Sequence, residues 1–321
     1  MTTSELKLWL PYKLLCLQDE ILCRWLYIGE KRFVEPFFDE TILKCLSHPY
    51  NSKRFKSVSS IDLLPQWAWA LDHLRPTAFI FHISRCGSTL LSQLLSLAQQ
   101  NIVISEGPFL DELLRLPFQS RNISEIYSDQ LFTAALSFYG QKRMAAERHL
   151  FLKTDSWHIL FYDRLRRLFP NTLFILLYRK PDEVLYSHQR RRGIHAVPNI
   201  IEADLFGFDK DTLNKPDLDW YLAKVLEKYY AAYLEVIKHD SDFILANYSE
   251  GMLNIFKRIE TKTGIGYSKK EWQRAKERAG FDAKSPDTLF GKQQKASEYP
   301  EYMQTCFALY QQIETFRREN E

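Results

Sequence analysis

The sequence predicts an α/β protein, a parallel sheet flanked by helices, with a helical extension at its N-terminus. Three observations predict it. From residue 77 onward, short apolar runs alternate with segments whose apolar residues recur at helical spacing. Two of the runs, 78–83 and 173–177, are apolar without alternation, as suits strands covered on both faces. Arg85, Glu106, Lys153 and Arg179 each stand at the carboxyl end of such a run, where open sheets of this class bind ligands.

Residues 1–76 are expected to form the extension, packed on a main domain of residues 77–321, where it is either purely structural or helps to shape the acceptor site. Leu8-Trp9-Leu10, Leu14-Leu15, Ile21-Leu22 and Trp25-Leu26 suggest amphipathic helices broken at Pro11. Asp39 is placed to cap a helix through Cys45. The polar, basic stretch 51–60 reads as a loop. In the main domain, 78–83, 102–105, 150–154, 171–178 and 243–246 read as strands. Leu90, Leu91, Leu94, Leu95 and Ala98 mark the first helix between them, and Trp157, Leu160, Phe161, Leu165 and Leu168 mark a later one. Pro181 suits the first turn of a helix running to Arg190, Arg191 and Arg192. A long helix is expected over 218–237, and Gly264 is expected to close the helix that carries Met252, Phe256 and Ile259.

The first strand and helix enclose Ser84-Arg85-Cys86-Gly87-Ser88-Thr89. A tight turn feeding a helix N-terminus points backbone N–H groups and the positive end of the helix dipole at one spot, which makes an anion site. The nucleoside-triphosphate loop reads G-x-x-x-x-G-K-[ST]. Gly87 and Thr89 fit its last Gly and its hydroxyl, but His82 stands in place of the first Gly and Ser88 in place of the Lys. The missing Lys argues against ATP or GTP hydrolysis, and Arg85 offers a different placement of positive charge.

This stretch resembles the 5′-phosphosulfate loop of the sulfotransferases, which share the P-loop topology and use 3′-phosphoadenosine 5′-phosphosulfate (PAPS) as donor. That donor lacks β- and γ-phosphates, so the departures from the triphosphate pattern are those expected. The resemblance implies that Arg85, Cys86, Gly87, Ser88, Thr89 and Leu90 hold the donor's phosphosulfate. Cys86 is then a small filler rather than a nucleophile. A second resemblance lies in Arg179 and Ser187, which reproduce the family's spacing of an Arg closing a central strand and a Ser eight residues later, both on the 3′-phosphate. An Arg offers a planar fork of donors for phosphate oxygens. The alternative is that Arg179 pairs with Asp182 or Glu183. Tyr248 resembles the aromatic residue that lies near the adenine, and Lys292 or Lys295 would supply a late basic contact.

Composition bounds the rest. The chain has 321 residues, 45% hydrophobic and 26% charged, as a soluble globule requires. A net charge of +3 gives no support for nucleic-acid binding. Cys16, Cys23, Cys45, Cys86 and Cys306 are scattered and odd in number, which suggests reduced thiols with neither a disulfide framework nor a zinc site. No signal peptide and no membrane span are read, and since Golgi sulfotransferases carry an N-terminal anchor, a cytoplasmic protein is expected.

The resemblance also assigns chemistry. Lys153 would act on the leaving group or the sulfuryl oxygens, and Arg85 would steady the growing charge. Glu106 is placed like the catalytic Glu of tyrosylprotein sulfotransferases and is the expected base. Asp155 stands where small-molecule enzymes have a His, and His158, His188 and His195 are other candidates. The expected acceptor is a hydroxyl on a glycan, peptide or small molecule, with PAP (3′-phosphoadenosine 5′-phosphate) as product and no metal. Arg190, Arg191, Arg192 and His195 form either a guide for an acidic acceptor or a solvated face. A Mg-ATP-dependent small-molecule kinase and an inactive nucleotide-binding module are the competing readings.

Overall fold

A computed structural model of the chain describes residues 6–17, 20–54, 56–120, 122–281 and 299–320. Lys292 and Lys295 lie outside them. Strands β1 (Trp9–Leu17), β2 (Glu20–Tyr27) and β3 (Val58–Ser60) form one sheet. Strands β4 (Pro76–His82), β5 (Asn101–Ser105), β6 (His149–Lys153), β7 (Leu173–Tyr178) and β8 (Phe243–Asn247) form a second, in the order β5-β6-β4-β7-β8. These are the five strands expected from the sequence, in a parallel sheet flanked by helices. The chain divides into two compact units, Met1–Phe79 with Thr89–Lys153 and Ile265–Arg278, and Ile80–Ser88 with Thr154–Gly264 and Ala279–Glu321.

In the first unit the N-terminal segment departs from expectation. It is not chiefly helical: β1 and β2 pair antiparallel from Trp9↔Tyr27 to Leu17↔Glu20, and β3 pairs with β2. The register shifts between Pro11 and Lys13. A bulge there moves the inward face by one residue, so the apolar positions lose their period of two and imitate helical spacing. Asp39 is not the cap either. Helix α1 (Phe38–Leu46) begins after Phe37, and Asp39 sits in its first turn, where a carboxylate suits the dipole. Part of the stretch read as loop, 51–60, is strand β3.

Helices α2 (Ser88–Ser96), α3 (Pro108–Gln119) and α4 (Glu125–Tyr139) follow. The Leu14 N–H donates to the Glu112 carboxylate on α3 at 2.7 Å, and the buried Tyr139 hydroxyl on α4 donates to the Pro11 carbonyl at 2.8 Å. Trp25 packs edge-on against Phe138. These contacts fix the small sheet against the helices. Strands β5 and β6 pair in parallel from Asn101↔His149 to Ser105↔Lys153.

In the second unit β7 and β8 pair in parallel from Phe174↔Phe243 to Tyr178↔Asn247, and every residue of β7 is buried. Helix α5 (Tyr162–Leu168) precedes β7. Helix α6 (Pro181–Arg190) follows it with Pro181 in its first turn. Helix α7 (Leu218–His239) lays buried tyrosines on the end of β7, where Tyr233 donates to the Leu177 carbonyl at 3.0 Å and Tyr230 to the Arg179 carbonyl at 2.6 Å. Buried phenols need such partners, and these find them in the carbonyls at the strand end. Helix α8 (Met252–Thr263) closes on Gly264 at φ 69°, as expected from the sequence.

Candidate functional site

Two groups of singled-out residues emerge, one in each unit. The second unit holds the loop after β4. Ser84 and Arg85 both adopt left-handed backbone, at φ 72° and 53°, and Gly87 follows at 82°. For the two residues with side chains this costs roughly 1–2 kcal/mol each, so neighbouring groups must hold them. The Arg85 guanidinium donates to the Arg191 carbonyl, and the Arg179 guanidinium donates to the Arg85 carbonyl at 3.0 Å. A Cβ built on Gly87 would lie 3.0 Å from Met252 Sδ and 3.0 Å from two ring carbons of Tyr248. Glycine is therefore required here by conformation and by space. Cys86 is fully buried, and its thiol points at the Leu177 carbonyl 3.5 Å away, so it fills a core position. Ser88, Thr89 and Leu90 open α2.

Arg179 ties this loop to the end of β7. Its Nε donates to the Glu183 carboxylate at 2.7 Å, and its guanidinium carbon lies 4.3 Å from the centre of the Tyr248 ring. The pairing with Glu183 foreseen as an alternative thus forms, but at a residue only 6% exposed rather than on the surface. Tyr248 opens a short 3-10 turn, Tyr248–Glu250, capped by Asn247 and Glu250. Arg85, Gly87, Arg179 and Tyr248 are joined by contacts. Ser187 lies on α6, partly exposed, two turns into the helix that Arg179 precedes.

The first unit brings together Glu106 and Lys153. Glu106, at φ 55°, donates its N–H to the Lys153 carbonyl at 2.8 Å, and its carboxylate pairs with the Lys153 ammonium. The Lys153 side chain is wholly buried and that of Glu106 is 23% exposed. A buried ammonium without a counter-charge would be strongly disfavoured, so Glu106 is the partner that Lys153 needs and Lys153 in turn orients Glu106. The N-terminal segment joins this pair. The Phe37 ring centre lies 5.1 Å from Lys153 Nζ, within cation–π range. Partial burial, and after it the negative charge of Glu106, pushes the Asp39 carboxyl up from its ordinary value.

The other expected bases have structural duties. Asp155 caps the 3-10 helix Ser156–Phe161, and its N–H donates to His158 Nδ1 at 3.3 Å in a capping box. His188 and His195 are buried, with ring centres 5.1 Å apart. Arg192 pairs with Asp219 and bonds the Leu218 carbonyl at 3.0 Å, so of the basic run it is not a free guide for an acceptor. Sequence reasoning missed Phe37 and Asp39, and it missed His82 as a ligand of the loop. The only signal for His82 was its place where the triphosphate loop has glycine. The five cysteines are all free. No described helix is long and apolar enough to cross a membrane.

No family profile matches the chain, and no curated protein matches it in sequence. Among solved structures, the chain is similar to a sulfotransferase from Alicyclobacillus acidocaldarius, with 14% identity over 77% of this chain and 95% of that one, at a TM-score of 0.42. The sulfotransferase domain of the Synechococcus PCC 7002 olefin synthase matches with 16% identity over 76% and 95%, at 0.46. The sulfotransferase domain of the curacin biosynthetic pathway matches with 16% identity over 64% and 78%, at 0.41. These solved chains are sulfotransferases, and the likeness is one of fold.

Proposed function

We propose that the protein is a sulfotransferase that moves a sulfuryl group from PAPS to a hydroxyl of an acceptor. The observation that carries this reading is the cluster of Arg85, Gly87, Arg179 and Tyr248, in which the Arg179 guanidinium bonds the Arg85 carbonyl and stacks on the Tyr248 ring, and that ring lies 3.0 Å from where a Cβ on Gly87 would stand. Such a cradle admits close approach of an anion to backbone N–H groups. The loop lacks the lysine that a triphosphate needs, while Arg179 and Ser187 offer donors for a second phosphate. The donor's two anionic ends and its adenine thus each find a chemically suited partner.

In the proposed reaction the acceptor oxygen forms a bond to sulfur as the bond from sulfur to the 5′-phosphate oxygen breaks. Glu106 takes the acceptor's proton. Lys153 and Arg85 offset charge that grows on the departing phosphate and the sulfuryl oxygens. A positioned base contributes roughly 10²–10⁴-fold, and Glu106→Gln should cost that much turnover while PAP still binds.

The first test is thermal stabilisation in EDTA. PAP should raise the melting temperature with no divalent ion, whereas ATP and ADP should not. Linkage gives about 2.7 kcal/mol at a hundredfold excess over Kd. Stabilisation by Mg-ATP in preference to PAP would refute the reading. Normal turnover by Glu106→Gln would refute the assignment of the base.

A further inference from the structure

The loop after β4 has a feature that donor binding alone does not explain. Two consecutive residues with side chains, Ser84 and Arg85, hold left-handed backbone, where the triphosphate pattern begins with a glycine and this chain has His82. Two histidines reach the loop, and the tautomer of each follows from its neighbours. The Ser84 N–H donates to His82 Nδ1 at 3.2 Å. A backbone N–H can only donate, so Nδ1 carries the lone pair and Nε2 carries the hydrogen, which it gives to the Thr154 carbonyl at 2.8 Å. The Ser156 hydroxyl lies 3.1 Å from the same Nδ1. His188 is fixed in the same way, because the Gly193 N–H donates to its Nδ1 at 3.2 Å and leaves Nε2–H to donate to the Ser84 hydroxyl oxygen, also at 3.2 Å. His188 therefore cannot accept the serine's proton, and the Ser84–His188 pair is not a nucleophile with its base. His82 is 5% exposed and His188 not at all.

We propose that His82 and His188 are positioning residues, which clamp Ser84 from its backbone side and its hydroxyl side and so hold the donor loop in its left-handed form before the donor arrives. The proposal rests on the sulfotransferase reading only for what the loop binds. The clamp itself is a property of the folded chain. His82 does through a hydrogen bond what a glycine does through conformational freedom. The two solutions differ in consequence. A glycine permits the left-handed turn among others, whereas an acceptor nitrogen within reach of the Ser84 N–H selects it.

The test compares His82→Leu with His82→Asn, and His188→Leu with His188→Gln. Asn keeps an acceptor near the place of Nδ1, and Gln keeps a donor near that of Nε2. In the full chain without ligand, the Ser84 amide should exchange with deuterium about tenfold faster in His82→Leu and stay within about threefold of wild type in His82→Asn. The dissociation constant for PAP should rise about tenfold in each Leu variant and much less in Asn and Gln, since one lost hydrogen bond of about 1.4 kcal/mol is tenfold. Ser84→Ala, which keeps the backbone but removes the hydroxyl, should match His188→Leu and serves if either Leu variant fails to fold. Unchanged exchange at Ser84 in folded His82→Leu, or PAP affinity unaltered in Ser84→Ala, overturns the clamp. If wild type binds no PAP, the sulfotransferase reading fails, and the exchange comparison still decides the clamp.

Discussion

Replacing Gly87 by alanine tests the proposed donor loop where its geometry is tightest. At φ 82° an alanine is strained by roughly 1–2 kcal/mol. Its Cβ would also stand 3.0 Å from the Cδ2 and Cε2 atoms of Tyr248 and 3.0 Å from Met252 Sδ. The methionine tip can swing aside. The ring is less free, since it stacks with the Arg179 guanidinium at 4.3 Å, and pushing it off its rotamer costs about 1 kcal/mol more. The sum is about 2–3 kcal/mol, or about 25- to 150-fold in an equilibrium constant. The loop has a simple escape in the free protein, which is to leave the left-handed turn. The cost is then collected when the ligand requires that turn back. Titration calorimetry with PAP in EDTA should therefore show Kd rising by that factor. The unliganded melting temperature should fall by less than the 2–4 °C per kcal/mol expected of a domain this large if the strain stayed in place. Affinity within twofold of wild type would refute the placement of Gly87 against the donor, whatever happened to stability.

Three further outcomes follow from single contacts. Glu183→Gln removes the carboxylate 2.7 Å from Arg179 Nε, which a bound phosphate would have to displace or share, so PAP should bind several-fold more tightly at low salt, measured by the same titration. Asp39→Asn removes a negative charge that opposes ionisation of its neighbour, and the coupling is reciprocal. The acid limb of the pH–rate profile should move to lower pH with slower turnover on the plateau, and an unmoved limb would separate Asp39 from Glu106. Glu35 tests the N-terminal segment. Burial would raise its carboxyl, but hydrogen bonds from Lys31, Thr41 and Lys44 outweigh that and hold it down to about 2. A depressed carboxyl contributes stability above its unfolded value near 4.5 that is lost as pH falls toward 2. Glu35→Gln should thus cost up to about 3 kcal/mol in urea unfolding at pH 7 and clearly less at pH 3.

What could be read in the sequence was whatever a local pattern encodes. The strands of the larger sheet are continuous apolar runs, and a run such as 173–178 has few other uses in a soluble chain. The residues at their carboxyl ends followed from topology, which is why Arg85, Glu106, Lys153 and Arg179 could be named before any contact was known. The N-terminal sheet was misread because a bulge beside Pro11 erases alternation, and pairs such as Leu14-Leu15 then look helical. Phe37 and Asp39 were illegible for a different reason. Their partners lie more than sixty residues away, and nothing within α1 announces them. His82 was seen as an absent glycine, and only its two nitrogen contacts show it to be a ligand of the loop.

The cations singled out in each of the two units have protein partners before any ligand binds. Arg179 has Glu183, Lys153 has Glu106, and Arg85 has the Arg191 carbonyl. Leaving the buried Arg179 and Lys153 unpaired would cost several kcal/mol apiece, more than a marginally stable fold can spare. Binding an anionic donor is then an exchange of partners, and its net gain is smaller than the raw attraction between guanidinium and phosphate. Selectivity benefits from the same arrangement. A ligand that engages one cation meets a charge already balanced by its own neighbour and gains little, whereas one that presents anions at both Arg85 and Arg179 recovers the cost at two places on a single framework. On the proposed reading two separated phosphoryl groups on one nucleoside would satisfy that condition. On the same reading a linear triphosphate, which concentrates its charge at one end and finds Ser88 where its lysine should be, would not.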